Sequence, residues 1–183
     1  VHPAKPPEHV QAMRQNGARI EMPEETLQVP VRAYNLCDVC TFTERFDIVL
    51  LVTKAYDARW SCHLIEPYLK PDGLVAGVQN GMTVDTIAEA VGPRRTIGCA
   101  TPSSRAVLWP SWFAVGHIDP AAAGREAEIA ELLRHVGSVE IVDDIRATKW
   151  MKLVSNATTL VTTAILGMPM LEAVKMPGMR ELM

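Results

Sequence analysis

The chain has 183 residues, of which 48% are hydrophobic and 21% are charged, and its formal net charge is −3. This composition excludes a disordered chain, and the negative charge gives no electrostatic support to a nucleic-acid partner. The length predicts one domain and the start of a second. The longest unbroken apolar run, residues 48–52, is far shorter than the roughly 20 residues that cross a bilayer, so we expect no membrane span.

Four cysteines are too few and too scattered to indicate a disulfide framework. Cys37 and Cys40 form a lone CxxC pair, whereas a zinc site usually needs a second pair or histidines at suitable spacing, so we predict no metal site. We therefore expect four reduced cysteines. Residues 1–10 also lack the apolar core of a signal peptide, which favours a cytoplasmic protein.

Residues 1–30 are polar and rich in proline. The pattern predicts a short helix over residues 8–16, closed by Gly17, and short strands over residues 18–21 and 29–33.

From residue 46 onward, strands and helices alternate. Continuous apolar runs predict buried strands over residues 48–52, 74–78 and 96–100, as in a parallel sheet. Asp57 and Thr83 are predicted to cap the intervening helices, which reach residues 69 and 91. Such alternation implies right-handed crossovers and helices on the faces of the sheet. Ligands bind beyond the carboxyl ends of such strands, so we expect Lys54 and the Asn80-Gly81 pair to be neighbours on that edge.

The second half of the chain changes character after Asp143 and Asp144. Before this point we predict a strand over residues 112–115, a helix over 125–136 and a strand over 139–142. After it, a single helix is predicted over residues 145–166, and another starts at Met170. We therefore predict an α/β domain over residues 1–143 and the first helices of an all-helical domain over residues 144–183.

Five residues are candidates for a functional site, and each has a structural alternative. Lys54 can hold a ribose, a phosphate or a carboxylate, or it is a solvated lysine. Asn80 and Gly81 allow the backbone to approach a ligand closely, or they form a structural turn. Lys152 and Asn156 lie one turn apart on a helix face that can grip a carbonyl and a carboxylate, or that is simply solvated.

Four segments stand out in order along the chain: HVQAMRQNGARIE at residues 9–21, FDIVLLVTKAYDA at 46–58, LVAGVQNGM at 74–82 and ATKWMKLVSNA at 147–157. Taken together, they resemble the ketopantoate reductase family (2-dehydropantoate 2-reductases). The resemblance implies an NADP-binding Rossmann domain followed by an all-helical domain, with the active site between them. It also implies reduction of a 2-oxo acid to a 2-hydroxy acid, as in the step from 2-dehydropantoate to pantoate in pantothenate biosynthesis.

The resemblance also implies roles for the five candidates. Lys152 matches the lysine that assists at the carbonyl oxygen, and Asn156 matches an asparagine that contacts the substrate. Asn80 and Gly81 match the family's QNG turn on the cofactor side. Lys54 matches a cleft lysine, for which we expect contacts with both cofactor and substrate.

The chain departs from the family pattern in two ways. It lacks the opening strand and the GxGxxG turn, so we expect it to be incomplete at both ends, and Lys5 is the basic residue expected near the ribose phosphate. Leu160 and Val161 stand where the family commonly has Asn-Pro, which favours a more apolar or different 2-oxo acid.

Several alternatives stay open at the level of sequence. A related Rossmann-type hydroxy-acid or opine dehydrogenase fits the same pattern, and so does a short protein that binds a ligand without catalysis. The choice between NADP and NAD rests on a strand end that the chain does not contain, and a homodimer is allowed but not required.

Overall fold

A computed structural model describes residues 7–22, 24–101 and 111–179 of the chain. The expectations for Lys5 and for the irregular segment 102–110 lie outside these ranges. The first helix, α1, spans Pro7–Asn16, and a hairpin follows in which β1 (Ala18–Glu21) pairs antiparallel with β2 (Thr26–Val29). The predicted second strand over residues 29–33 is therefore wrong. Pro30 carries no N–H for a ladder and ends the strand where we expected it to begin.

A five-stranded, mostly parallel sheet forms the body of the protein. Its strands are β3 (Phe46–Leu51), β4 (Leu69–Gly77), β5 (Thr96–Ala100), β6 (Ser111–His117) and β7 (Gly137–Ile141), and they lie side by side in that order. As predicted, β3, β4 and β5 are parallel; β6 then runs antiparallel to β5, and β7 is parallel to β6. The fold is of the predicted Rossmann type.

Strand β4 begins five residues earlier than we predicted. We expected Pro71, Asp72 and Gly73 to form a turn before the strand. The structure instead includes them in β4, with a register shift against β3 between Phe46 and Ile48. The extra residues are accommodated as an irregularity in the ladder, so the chain does not have to leave the sheet.

Helices cover both faces of the sheet, as the continuous apolar strands predict. The helices before the long one are α2 (Ala58–Ile65), α3 (Val84–Val91) and α4 (Glu126–Arg134). Alternate residues of β4 serve the two faces: Leu74 packs in the core beneath α4, and Val75 packs in the core beneath α2 and α3. Asp57 and Thr83 occupy the predicted cap positions, but neither side chain bonds a backbone N–H of its helix.

The long helix α5 (Ile145–Leu166) has the predicted bounds and is followed by the short α6 (Met170–Ala173). The Asp144 side chain caps α5 by accepting a hydrogen bond of 2.9 Å from the N–H of Ala147. Among the helices in the described ranges, none is long and apolar enough to cross a membrane. The domain division near residue 143 stays a prediction.

Two glycines let the first turn of α5 approach the sheet. A Cβ on Gly98 of β5 would lie 2.8 Å from Cγ1 of Ile145, and one on Gly116 of β6 would lie 3.0 Å from Cβ of the same residue. Ile145 is accordingly buried against both strands. This close packing directs the later turns of α5 across the carboxyl ends of β4 and β5.

Candidate active site

The carboxyl ends of β3 and β4 are joined by the side chain of Gln79. Its Nε2 donates hydrogen bonds to the backbone oxygen of Thr53 at 2.9 Å, to Oγ1 of Thr53 at 2.9 Å and to the backbone oxygen of Lys54 at 3.2 Å. Gln79 is only 6% exposed. The expected closeness of Lys54 to the Asn80-Gly81 turn is thus confirmed, and a buried amide holds the two segments together.

Two lysines on successive turns of α5 each bridge the ends of β4 and β5. Lys152 donates from Nζ to Oδ1 of Asn80 at 2.5 Å and to Oγ1 of Thr101 at 3.3 Å. Lys149 donates to the backbone oxygens of Gln79 at 3.0 Å and Cys99 at 2.6 Å. The lysines therefore form an inner and an outer bridge between the same two strand ends.

Both ammonium groups have weakened proton affinity. Burial is the main cause that lowers the pKa of Lys149 to about 8; Cys99 acts against this shift, and the nearby charge of Lys152 adds to it. Burial also lowers the pKa of Lys152. In the described part of the chain neither lysine forms an ion pair with a carboxylate. Two adjacent cations without a counter-ion make this edge suited to binding an anion.

The two bridges frame a small recess. It is lined by Gln79, Asn80, Gly81, Ala100, Lys149, Lys152, Leu153 and Asn156. Its volume is about 10 Å³, so a ligand would meet these side chains from the open side of the recess. Gly81 has φ +80°, and a Cβ placed there would meet no atom within 4 Å, which leaves its backbone open to close approach.

One buried polar atom in the lining of the recess has no hydrogen-bond partner among the described residues. It is Oε1 of Gln79. A buried polar group without a partner costs free energy, so such an atom indicates a place where a ligand or water completes the bonding. Its position at the carboxyl edge fits the crevice in which ligands of this fold class bind.

The structure brings together four of the five predicted residues. Asn80, Gly81, Lys152 and Asn156 all line the recess, whereas Lys54 is exposed on the same edge outside the lining. Sequence reasoning missed the roles of Lys149 and Thr101. Lys149 shares a helix face with Lys152, three residues away, and that spacing was the available signal.

Other cavities of the protein are larger than the recess around Lys152. A recess of about 610 Å³ runs along β3 and is lined by Tyr34, Phe42, Phe46 and neighbouring residues. Its lining is largely aromatic and aliphatic, with one exposed ion pair between Arg32 and Glu44. We therefore locate the candidate site by its chemistry and not by volume.

Comparison with known proteins identifies the family of the chain. The family model described as ketopantoate reductase PanE/ApbA matches residues 1–110, which is more than half of the chain. The chain belongs to this family. The match includes the Lys54 and Asn80-Gly81 segments and ends before α5, so it says nothing about the two bridging lysines.

Solved structures share the fold of this PanE/ApbA family member. A 2-dehydropantoate 2-reductase from Geobacter metallireducens superposes with a TM-score of 0.78 at 23% identity, over 93% of this chain and 60% of that one. A D-mandelate dehydrogenase solved with NADH and anilino(oxo)acetate superposes with a TM-score of 0.78 at 19% identity, over 95% of this chain and 59% of that one. At these identities the likeness concerns the fold.

One curated relative is named for a different activity. Pyrroline-5-carboxylate reductase 2 of Bacillus subtilis is 32% identical over 142 residues, which cover 75% of this chain and 48% of that protein. The chain thus spans about half the length of the curated relative that it matches, and about 60% of the similar solved chains.

Proposed function

We propose that the protein carrying this chain reduces a 2-oxo acid to a 2-hydroxy acid with a nicotinamide cofactor, NADPH in preference to NADH. The observation that carries this proposal is the position of the Lys152 ammonium, which Asn80 and Thr101 hold at the carboxyl ends of β4 and β5. Family membership supports the reaction class.

Lys152 is suited to act on a carbonyl oxygen. Its ammonium has three N–H donors, and two of them point to Asn80 and Thr101, which leaves one for a substrate. Hydride arrival at the carbonyl carbon makes the oxygen anionic, so the fixed positive charge is most stabilising in the transition state. The proton on Nζ then passes to the alkoxide, and the neutral amine takes up a proton from water.

Asn156 is placed for the other end of a 2-oxo acid. It lies one helical turn after Lys152 and lines the same recess. A carboxamide next to a cation can bind a carboxylate and orient the oxo group toward Lys152.

The residues present fit the reactive end of a nicotinamide cofactor. The open backbone at Gly81 and the unpartnered Oε1 of Gln79 allow a flat polar group to approach the edge. When bound, the reduced cofactor supplies the hydride. Asn80 and Gly81 would contact it, with Lys54 on its ribose or phosphate side. The 183 residues contain no GxGxxG sequence for the pyrophosphate, so cofactor binding is proposed for the full-length protein.

The side chain of the substrate is proposed to be more apolar than that of 2-dehydropantoate. Leu160 and Val161, at the family's usual Asn-Pro positions, are 61% and 55% exposed on α5. An apolar side chain at these positions cannot bond a substrate hydroxyl, and loss of one such bond changes discrimination strongly. A place in pantothenate biosynthesis, a cytoplasmic location and a homodimer remain predictions.

Reduction of a cyclic imine that carries a carboxylate is the second candidate, because the Bacillus subtilis relative is named for that chemistry. The two reactions place different demands on Lys152. Hydride addition to a protonated imine gives a neutral amine directly, so no proton donor is needed at the reacting nitrogen. Reduction of a carbonyl needs one.

The test is a substrate panel with the full-length protein. Oxidation of NADPH or NADH is followed against 2-oxo acids of increasing apolar size, against 2-dehydropantoate and against pyrroline-5-carboxylate. We expect turnover with a 2-oxo acid and NADPH. Turnover with pyrroline-5-carboxylate alone would replace the first candidate by the second, and cofactor binding without any turnover would favour a non-catalytic role.

A further inference from the structure

Lys149 is the most deeply buried charged group beside the site. It is 3% exposed, and within residues 7–22, 24–101 and 111–179 its ammonium bonds only to the backbone oxygens of Gln79 and Cys99. A buried ammonium without a carboxylate is costly, because two carbonyl dipoles replace only part of its hydration. The charge of Lys149 therefore lowers the folding stability of the described part of the chain.

The bonds of Lys149 lie directly beneath those of Lys152. Gln79, which accepts from Lys149, precedes Asn80, which accepts from Lys152. On the other strand, Cys99 accepts from Lys149, and Thr101, two residues later, accepts from Lys152. The inner bridge thus fixes the two chain segments whose side chains hold the outer lysine.

Electrostatic repulsion connects the two ammonium groups as well. The groups belong to residues three apart on one helix face, and the charge of Lys152 lowers the pKa of Lys149. For Lys152 the cause of the lowered pKa is burial, and this burial depends on the two strand ends that hold its side chain. The other titratable group facing Lys149 is the Cys99 thiol, and burial raises its pKa to about 12, so it stays neutral at physiological pH.

We propose that Lys149 is a positioning residue, which holds the two strand ends from which Asn80 and Thr101 orient Lys152. This role rests on the proposed reduction of a carbonyl group. Lys149 itself is too deeply buried to touch the substrate, so it acts through Lys152, Asn80 and Thr101.

The experiment compares Lys149→Met, which removes both the charge and the bonds, with Lys149→Arg, which keeps the charge. Lys175→Met is the matched control, because Lys175 is an exposed lysine after α6. In each full-length protein, labelled with ¹³C,¹⁵N-lysine, the pKa of Lys152 is read from the NMR shifts of its Cε and Nζ, which are assigned with Lys152→Arg. This readout needs neither substrate nor cofactor.

We expect Lys149→Met to raise the pKa of Lys152 toward that of an ordinary lysine, roughly 10.4, because the strand ends no longer keep its ammonium buried. In the active enzyme the same change should lower kcat by about 10- to 100-fold, the scale of a misplaced catalytic group. The alkaline limb of the pH profile should move upward. Lys149→Arg should retain part of the effect on Lys152, and Lys175→Met should change neither quantity.

An unchanged pKa of Lys152 and an unchanged pH profile in a folded Lys149→Met protein would overturn the proposal and leave Lys149 a structural residue. If Lys149→Met does not fold, Lys149→Arg decides, because the larger guanidinium cannot form the same bridge: a pKa of Lys152 and a pH profile identical to those of wild type would also overturn the proposal. A shifted Lys152 in a protein that reduces no 2-oxo acid would support the positioning role and reject the proposed reaction.

Discussion

Nζ of Lys152 donates a hydrogen bond of 2.5 Å to Oδ1 of Asn80, a residue 72 positions earlier in the chain. The bond joins the long helix α5 to the turn that follows β4. It places a cation at the point where ligands bind in sheets of this class. Its partner is a neutral amide, so Lys152 keeps its full charge available for an anion.

Replacing that amide by a carboxylate should change the pH dependence of the reaction. Asn80→Asp places a negative charge against Lys152 and raises the pKa of its ammonium. Lys152 then stays protonated to higher pH, so the alkaline limb of kcat/KM should shift upward. The KM for the anionic substrate should rise by about 10-fold, the effect of roughly 1.4 kcal/mol.

The pH profile of kcat/KM, measured with a 2-oxo acid, checks this prediction. Gln15→Glu on the exposed face of α1 adds the same charge far from the site and is the control. An alkaline limb that is the same in wild type and Asn80→Asp would show that Lys152 does not govern it.

The approach of α5 to the sheet should depend on Gly98. In Gly98→Ala the new methyl group would lie 2.8 Å from Cγ1 of Ile145 and 2.9 Å from Cγ1 of Val84. We expect the free energy of unfolding to fall by about 1–3 kcal/mol, as for other overpacked cores.

A double-mutant cycle with Ile145→Ala tests the stated contact. Urea unfolding should show that Gly98→Ala costs less in the Ile145→Ala background, because the methyl group then has room on that side. Strictly additive losses would mean that Gly98 is needed for another reason.

Folding stability should rise with pH just above neutrality. Burial lowers the pKa of Lys149 from 10.5 to about 8, so between these values the unfolded chain binds more protons than the folded one. The free energy of unfolding therefore increases as pH rises through this range, by at most about 3 kcal/mol. Burial raises the pKa of Cys62 to about 11 and that of Cys99 to about 12, so their thiols ionise first in the unfolded chain and oppose the increase above pH 9.

The expected curve has a maximum near pH 9, since only the lysine effect operates between about 8 and 9. Urea unfolding at a series of pH values measures it. In Lys149→Met, most of the increase in the free energy of unfolding below pH 9 should be lost, and the decrease above pH 9 should remain. The difference between the wild-type and Lys149→Met curves gives the contribution of Lys149. A wild-type stability that decreases steadily from pH 7.5 upward would contradict burial of a charged Lys149.

Lys54 should affect the cofactor more than the chemical step. It is exposed on the carboxyl edge and does not line the recess around Lys152. Lys54→Ala should weaken NADPH binding by about 10- to 100-fold, the contribution of one charge-assisted hydrogen bond, with little change in kcat. Fluorescence titration with NADPH tests this. An unchanged dissociation constant together with a raised KM for the oxo acid would assign Lys54 to the substrate.

Much of the fold follows from local sequence patterns. The apolar runs predict the parallel order of β3, β4 and β5, and the Asp144 and Gly167 signals predict both ends of α5. The reversed direction of β6 could not be predicted, because the alternation of side chains in a strand is the same in either direction.

The site was predictable only in part, for a similar reason. Lys152 and Asn156 could be found because they lie on one helix face and match a family motif. The burial of Lys149 depends on backbone oxygens of Gln79 and Cys99, 70 and 50 positions away, and no local pattern records such partners. On sequence alone, Lys149 looks like any lysine on a polar helix face.

The most direct test of the account is the rate of NADPH oxidation by Lys152→Ala in the full-length protein, with its best 2-oxo acid at saturation and Lys175→Ala as control. Loss of the positioned acid should lower kcat by about 10²- to 10⁴-fold while NADPH binding stays intact. Turnover equal to that of the control would remove Lys152 from the mechanism and contradict the central claim.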